Sequence, residues 1–167
     1  MVALSAHTVK TSSDDDGWDN LPVISNNYYE YMRQLDQETM TAKIFALSAP
    51  YDNPYQSSRK RWLFVCSAGL LRSPTGAAVA TDLGVNARSC GSSSYALIPL
   101  SVNLIMWAGK IFFVNKENYM DAMNAFEAVG YTQDIEDKAV ILDIPDIYPA
   151  FDPILVATFQ EELTKHL

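Results

Sequence analysis

Histidine is nearly missing from this chain. His7 and His166 are the only two, almost at opposite ends of 167 residues, so a His-based triad or a histidine-built metal centre is poorly supplied. Cysteine is as scarce: Cys66 and Cys90 are too few for a disulfide framework or a structural zinc site. There is no excess of positive charge, because 12 Lys and Arg meet 20 Asp and Glu for a formal net charge of −8. The deficit is spread along the chain, with 5 basic and 8 acidic residues in 1–60 and 7 and 12 in 61–167. No basic stripe of the kind that nucleic-acid binding needs is present. No apolar run approaches the roughly 20 residues that span a bilayer. Residues 1–20 carry the acidic run Asp14-Asp15-Asp16 where an export signal needs an apolar stretch. These absences point to a soluble cytoplasmic protein without nucleic-acid or membrane partners, metal or cofactor. Chemistry, if there is any, falls to sulfur, carboxylate and guanidinium.

What is present is a core-forming composition, 49% hydrophobic, and an ordered pattern from residue 61 onward. Trp62-Leu63-Phe64-Val65 is a short continuous apolar run, as expected of a strand buried on both faces. It runs into Cys66 and the small residues Ser67-Ala68-Gly69. Ser73-Pro74 reads as the N-cap and first position of a helix that ends at Gly84. Strands are expected over 85–90, 110–114 and 139–142. Between them the pattern predicts helices over 100–108 and 116–129, the latter with Tyr119, Met120, Met123 and Phe126 on one side. A loop with three prolines and three aspartates spans 143–153, and 154–167 reads as a closing helix. Alternating strands and helices predict an α/β fold, a four-stranded parallel sheet with helices on both faces. Ligands in such sheets bind beyond the carboxyl ends of the strands, where Cys66 falls.

The first sixty residues read differently. Residues 1–20 are expected to be a disordered tail and 21–60 an extension, partly helical, with Tyr28, Tyr31, Met32 and Leu35 as one face over 25–47. Pro50-Tyr51-Asp52-Asn53-Pro54 reads as a turn-rich connector to a domain at 61–167.

The chemistry concentrates in Cys66-Ser67-Ala68-Gly69-Leu70-Leu71-Arg72-Ser73, where five residues separate a cysteine from an arginine followed by a hydroxyl. A loop of that length between strand and helix can turn successive backbone N–H groups inward as a nest for phosphate oxygens. The following helix adds the positive end of its dipole. Arg72 supplies two parallel N–H donors, a fork that lysine cannot reproduce. Such surroundings favour a thiolate at Cys66, and Ser73 is placed to donate to the sulfur. The competing reading is an inert buried Cys66 with Arg72 in a surface ion pair.

Leu63-Phe64-Val65-Cys66 followed by Arg72-Ser73-Pro74 resembles the opening of the low-molecular-weight protein tyrosine phosphatases. The resemblance covers residues 61–167 and is nearest to the abbreviated branch of bacteria and bacteriophages. It implies a metal-free phosphatase that works through a cysteinyl-phosphate intermediate on phosphotyrosine. A phosphorylated protein or a small phosphate ester would then be the partner. Within it, Ser89-Cys90-Gly91-Ser92-Ser93 resembles the family's Ser-Ala-Gly-Thr-Ser segment, which implies Ser89 as a buttress of the loop and Tyr95 as a wall of the cleft. Ile144-Pro145-Asp146-Ile147-Tyr148 resembles the loop of the general acid, implying that role for Asp146. Asp146 also lies mid-loop beside apolar residues, where partial burial would favour its protonated form. Asp143 reads as a strand end, and Asp152 before Pro153 as a helix N-cap or a rival acid.

The chain departs from the family at Ala68-Gly69, where Gly-Asn is usual, and at Leu71, where many members carry a second cysteine. Two other functions fit the same loop. A phosphate-binding module with little or no turnover is one. An arsenate reductase is the other, and it normally needs two more cysteines, of which only Cys90 is present.

Overall fold

The computed structural model describes residues 26–48 and 59–167. The tail expected at 1–20 and the connector expected at Pro50–Pro54 lie outside the described residues. Two helices come first, α1 (Asn26–Arg33) and α2 (Gln37–Ser48). There follow β1 (Arg61–Cys66), α3 (Arg72–Asp82), β2 (Asn86–Gly91), α4 (Val102–Trp107) and β3 (Lys110–Phe113). The chain continues through α5 (Lys116–Phe126), α6 (Thr132–Lys138), β4 (Ala139–Ile141) and α7 (Pro153–Thr164). No described helix is long and apolar enough to cross a membrane.

The four strands form one parallel sheet in the order β2-β1-β3-β4. β1 is thus central, hydrogen-bonded on both edges, which is why its apolar run is continuous rather than alternating. Its register sets Val65 opposite Cys90 and Phe113, and Cys66 opposite Gly91. Successive side chains go to opposite faces. Trp62, Phe64, Phe112 and Val114 pack with Val79 of α3, Leu155 and Phe159 of α7, and Tyr28 and Met32 of α1. Leu63, Val65, Ile111 and Phe113 pack on the other face with Leu104 and Ile105 of α4, Ala122 of α5 and Ile135 of α6. The stripe read in α1 is part of this packing: Tyr28 and Met32 are fully buried, and Tyr31 and Leu35 lie against the same core.

Several expectations shift. α3 begins at Arg72, and Ser73 does not cap it; the N-cap position is Leu71, which makes no side-chain cap bond. The Ser73 hydroxyl is occupied by Cys66 and Cys90 instead. The helix expected over 116–129 stops at Phe126, and Gly130, at φ +84°, turns the chain into a helix that was not anticipated, α6. That seven-residue helix has only Ile135 buried and so lacks a periodic apolar stripe. Met120 is exposed, and Asn118 and Ala122 are the buried residues of α5, with Tyr119, Met123 and Phe126 packed partly against the core. Asp152 caps α7 as expected, its carboxylate accepting from the Ile154 N–H at 2.8 Å.

Phe151, just before that cap, is the one non-glycine among the described residues with positive φ, 63°. That backbone costs about 1–2 kcal/mol, which the surroundings must repay. Phe112 is fully buried and meets three rings, its own 5.0 Å from Phe64, 4.7 Å from Trp62 and 5.3 Å from His166. Replacing it by alanine should cost about 3–5 kcal/mol, measured as a fall in the denaturant midpoint with an unchanged slope.

Candidate active site

The loop between β1 and α3 is shaped by the segment after β2. The Ser92 N–H donates to the Cys66 carbonyl at 2.7 Å, Ser93 to Ser67 at 3.1 Å, and Leu97 to Ala68 at 3.0 Å. Three consecutive loop carbonyls are thereby drawn to one side. Among the described residues no carbonyl accepts from the N–H groups of Ser67, Ala68, Gly69, Leu70 or Leu71. Among the described residues these five successive amides have no backbone partner and precede a helix N-terminus, an arrangement able to serve as the donor set of an anion nest.

Two glycines permit this approach. Gly69 has φ +74°, and a Cβ there would lie 3.2 Å from the Cys90 carbonyl carbon. A Cβ on Gly91 would lie 2.3 Å from the Ser67 oxygen and 2.5 Å from Ala96 Cβ. No side chain fits at Gly91 while the loop keeps its place.

Cys66 ends β1, 3% exposed, with its sulfur 3.1 Å from Ser73 Oγ. Ser73, fully buried, in turn donates to the Cys90 carbonyl at 3.1 Å. Cys90 is itself buried, and burial, with the neighbouring Cys66 second, pushes its thiol well above the usual range. That burial favours the protonated thiol over the nucleophilic thiolate.

Arg72 is not a surface residue. It is 3% exposed, its Nη1 donates to the Ile144 carbonyl at 3.0 Å, and its Nε lies 3.5 Å from Asp146 Oδ1. The guanidinium thus spans from the first turn of α3 to the loop after β4. Asp146 departs from expectation in one respect: its side chain is 63% exposed, not partly buried. With so much water around it, the pairing with Arg72 is discounted as a source of stability.

Of the remaining sequence-selected residues, Ser89 is buried in β2 opposite Phe64. The backbone hydrogen bonds to the carbonyls of Cys66, Ser67 and Ala68 come from Ser92, Ser93 and Leu97. Tyr95 stands 83% exposed on that same segment. Leu71 and Ile147 are also exposed. Among the described residues no cluster of three or more metal-binding side chains forms.

Two polar residues were missed by sequence reasoning. Asn118, 1% exposed, donates through Nδ2 to Ser67 Oγ at 3.1 Å and Ser92 Oγ at 3.2 Å, while its buried Oδ1 has no partner among the described residues. It ties the loop to the segment that backs it. The signal was topological: α5 starts at the carboxyl end of β3, beside that of β1, so its first turn faces the same crevice. Thr75, also fully buried, donates to the Leu71 carbonyl at 2.8 Å and accepts from the Phe151 N–H at 2.9 Å.

Comparison with solved structures agrees with this architecture. Wzb of Vibrio vulnificus aligns over 66% of this chain and 100% of its own, with 17% identity and a TM-score of 0.52. The low-molecular-weight protein tyrosine phosphatase SP-PTP of Streptococcus pyogenes aligns over 65% and 93%, with 12% identity and a TM-score of 0.53. The tyrosine phosphatase AmsI of Erwinia amylovora aligns over 70% and 97%, with 14% identity and a TM-score of 0.50. No family model matches the sequence, and no match to a curated protein was found. The chain has the α/β fold of the low-molecular-weight protein tyrosine phosphatases. At such identities the likeness is one of fold, and function has to be argued from the site.

The overlap at Gly91 gives a direct test of the loop. Gly91→Ala forces the Ser67 peptide to move and should weaken inorganic phosphate binding by about tenfold, read by titration calorimetry.

Proposed function

We propose that this protein is a cysteine-dependent phosphatase. The observation that carries the reading is the loop: five successive amides, Ser67 to Leu71, without a carbonyl partner among the described residues, set between Cys66 and the buried Arg72. Such an array matches the equatorial oxygens of a phosphoryl group in displacement, where preorganised donors are worth most.

In the first step the Cys66 sulfur attacks phosphorus in line. The S–P bond forms as the ester P–O bond breaks, and protonated Asp146 gives its proton to the leaving oxygen. Water then attacks the cysteinyl phosphate, losing its proton to the Asp146 carboxylate as the S–P bond breaks and phosphate leaves. Ser73 has a hydroxyl that rotates freely, and when the thiol ionises it turns from the Cys90 carbonyl to donate to sulfur. Arg72 does two things in turn. Its Nε, beside Asp146 at rest, is the donor that an arriving phosphoryl oxygen takes over. That exchange releases the carboxyl group toward the leaving oxygen while the fork closes on phosphate.

The substrate is an aryl phosphate monoester, phosphotyrosine in a protein or a small ester, in the cytoplasm. Tyr95, Leu70, Leu71, Ile147 and Tyr148 offer an apolar rim suited to a ring rather than a short alkyl group. That Wzb has been solved with benzylphosphonate agrees with an aryl preference. An arsenate reductase would need a relay of thiols. Cys90 is the only second cysteine and lies buried behind Ser73.

Cys66→Ser should abolish hydrolysis of para-nitrophenyl phosphate while still binding vanadate; sustained turnover would refute the nucleophile. Asp146→Asn should lower turnover of phenyl phosphate by about a hundredfold or more and that of para-nitrophenyl phosphate much less, because nitrophenolate leaves without a proton. The ratio of the two rates across the variant measures the acid.

A further inference from the structure

The helix that precedes the phosphatase-like fold reaches into its acid loop. Arg33, the last residue of α1, donates from Nη1 to the Phe151 carbonyl at 2.7 Å, across 118 positions of sequence. Phe151 is the residue held at φ 63°. Its ring is fully buried and meets the rings of Tyr28 and Tyr29 of α1 at 6.1 and 6.5 Å. Its N–H donates to Thr75 Oγ1, and that hydroxyl donates to the Leu71 carbonyl at the end of the phosphate loop. One residue in a strained conformation is thus gripped at its carbonyl by α1, at its ring by α1, and at its amide by α3. Strain of this kind persists only where several contacts fix it.

We propose that Arg33 is a positioning residue for the acid loop. Its bond to Phe151 pins the carboxyl end of the segment 143–152, which carries Asp146, while Arg72 holds that segment near its start through Ile144. Between two fixed ends Asp146 has a short stretch of chain in which to move, and it stays within reach of the leaving oxygen. α1 is therefore part of the catalytic unit, and what it controls is proton donation rather than phosphate binding. The proposal rests on the phosphatase reading for the role of Asp146; the contact itself does not.

The test uses the full chain with Arg33→Met, which keeps an apolar stem and removes the donor, and Arg33→Lys, which keeps a cationic donor. Turnover is measured on phenyl phosphate and on para-nitrophenyl phosphate, and amide exchange is followed over residues 143–152. Arg33→Met should slow phenyl phosphate turnover about tenfold, part of the general-acid contribution. The nitrophenyl ester should lose several-fold less, and exchange at Phe151 and Asp152 should quicken. Arg33→Lys should recover most of the phenyl phosphate rate. Equal losses on both substrates, or unaltered exchange in the loop, would overturn the proposal. Should the parent protein hydrolyse neither ester, the phosphatase reading falls, and so does a role in proton donation; faster exchange in Arg33→Met would then uphold the latch alone. If Arg33→Met does not fold, Arg33→Gln is read by the same criteria.

Discussion

Three backbone hydrogen bonds hold the site open: Ser92, Ser93 and Leu97 donating to the carbonyls of Cys66, Ser67 and Ala68. Every peptide has a donor and an acceptor on opposite sides, so holding these three carbonyls toward the segment after β2 turns the N–H groups of Ser67, Ala68 and Gly69 away from it. Much else follows from that constraint. Gly91 has no side chain because the Ser67 oxygen fills the space. Gly69 takes a left-handed turn against Cys90. Asn118 spends its amide on Ser67 and Ser92, one hydroxyl from each side of the seam.

The second organising element is Arg72. It leaves α3 in its first turn, is almost wholly buried, and finds its partners in the loop after β4. The candidate nucleophile Cys66 and the candidate acid Asp146 are 80 residues apart in sequence, and a single guanidinium brings their loops together. Planarity matters here. The same rigid fork addresses a backbone carbonyl and a carboxylate from adjacent nitrogens, leaving donors for a third, anionic partner.

β1 and β3 were legible in the sequence because continuous apolar runs such as Trp62–Val65 have few other interpretations, and all four expected strands appear in the sheet near their expected bounds. The loop was legible from two residue types at one spacing. What escaped was tertiary in origin. Ser73 before Pro74 has the local signature of an N-cap, yet its hydroxyl goes to a sulfur on the preceding strand. α6 buries one residue and leaves no periodic trace. The partial burial expected of Asp146 rested on its apolar neighbours Ile147 and Tyr148, but Ile147 points to solvent and offers no shelter. Asn118 and Arg33 act on partners 51 and 118 positions away, distances at which periodicity says nothing.

The separation between Arg33 and Phe151 bears on how the molecule is made. α1 has eight residues, too few to persist as an isolated helix in water. It leaves the ribosome long before the aromatic ring and carbonyl it packs against. At about 5–20 residues per second, the intervening chain takes on the order of ten seconds to appear. Throughout that interval Tyr28, Tyr29 and Met32 lack the ring of Phe151 and the side chains of α7 that help to cover them. The contact between α1 and Phe151 can form only once residue 151 has been made. A ribosome that stalls before α7 would release a polypeptide bearing the complete Cys66–Ser73 loop yet with its first helix unseated, a form recognisable by exposed tyrosines and a natural client for chaperones.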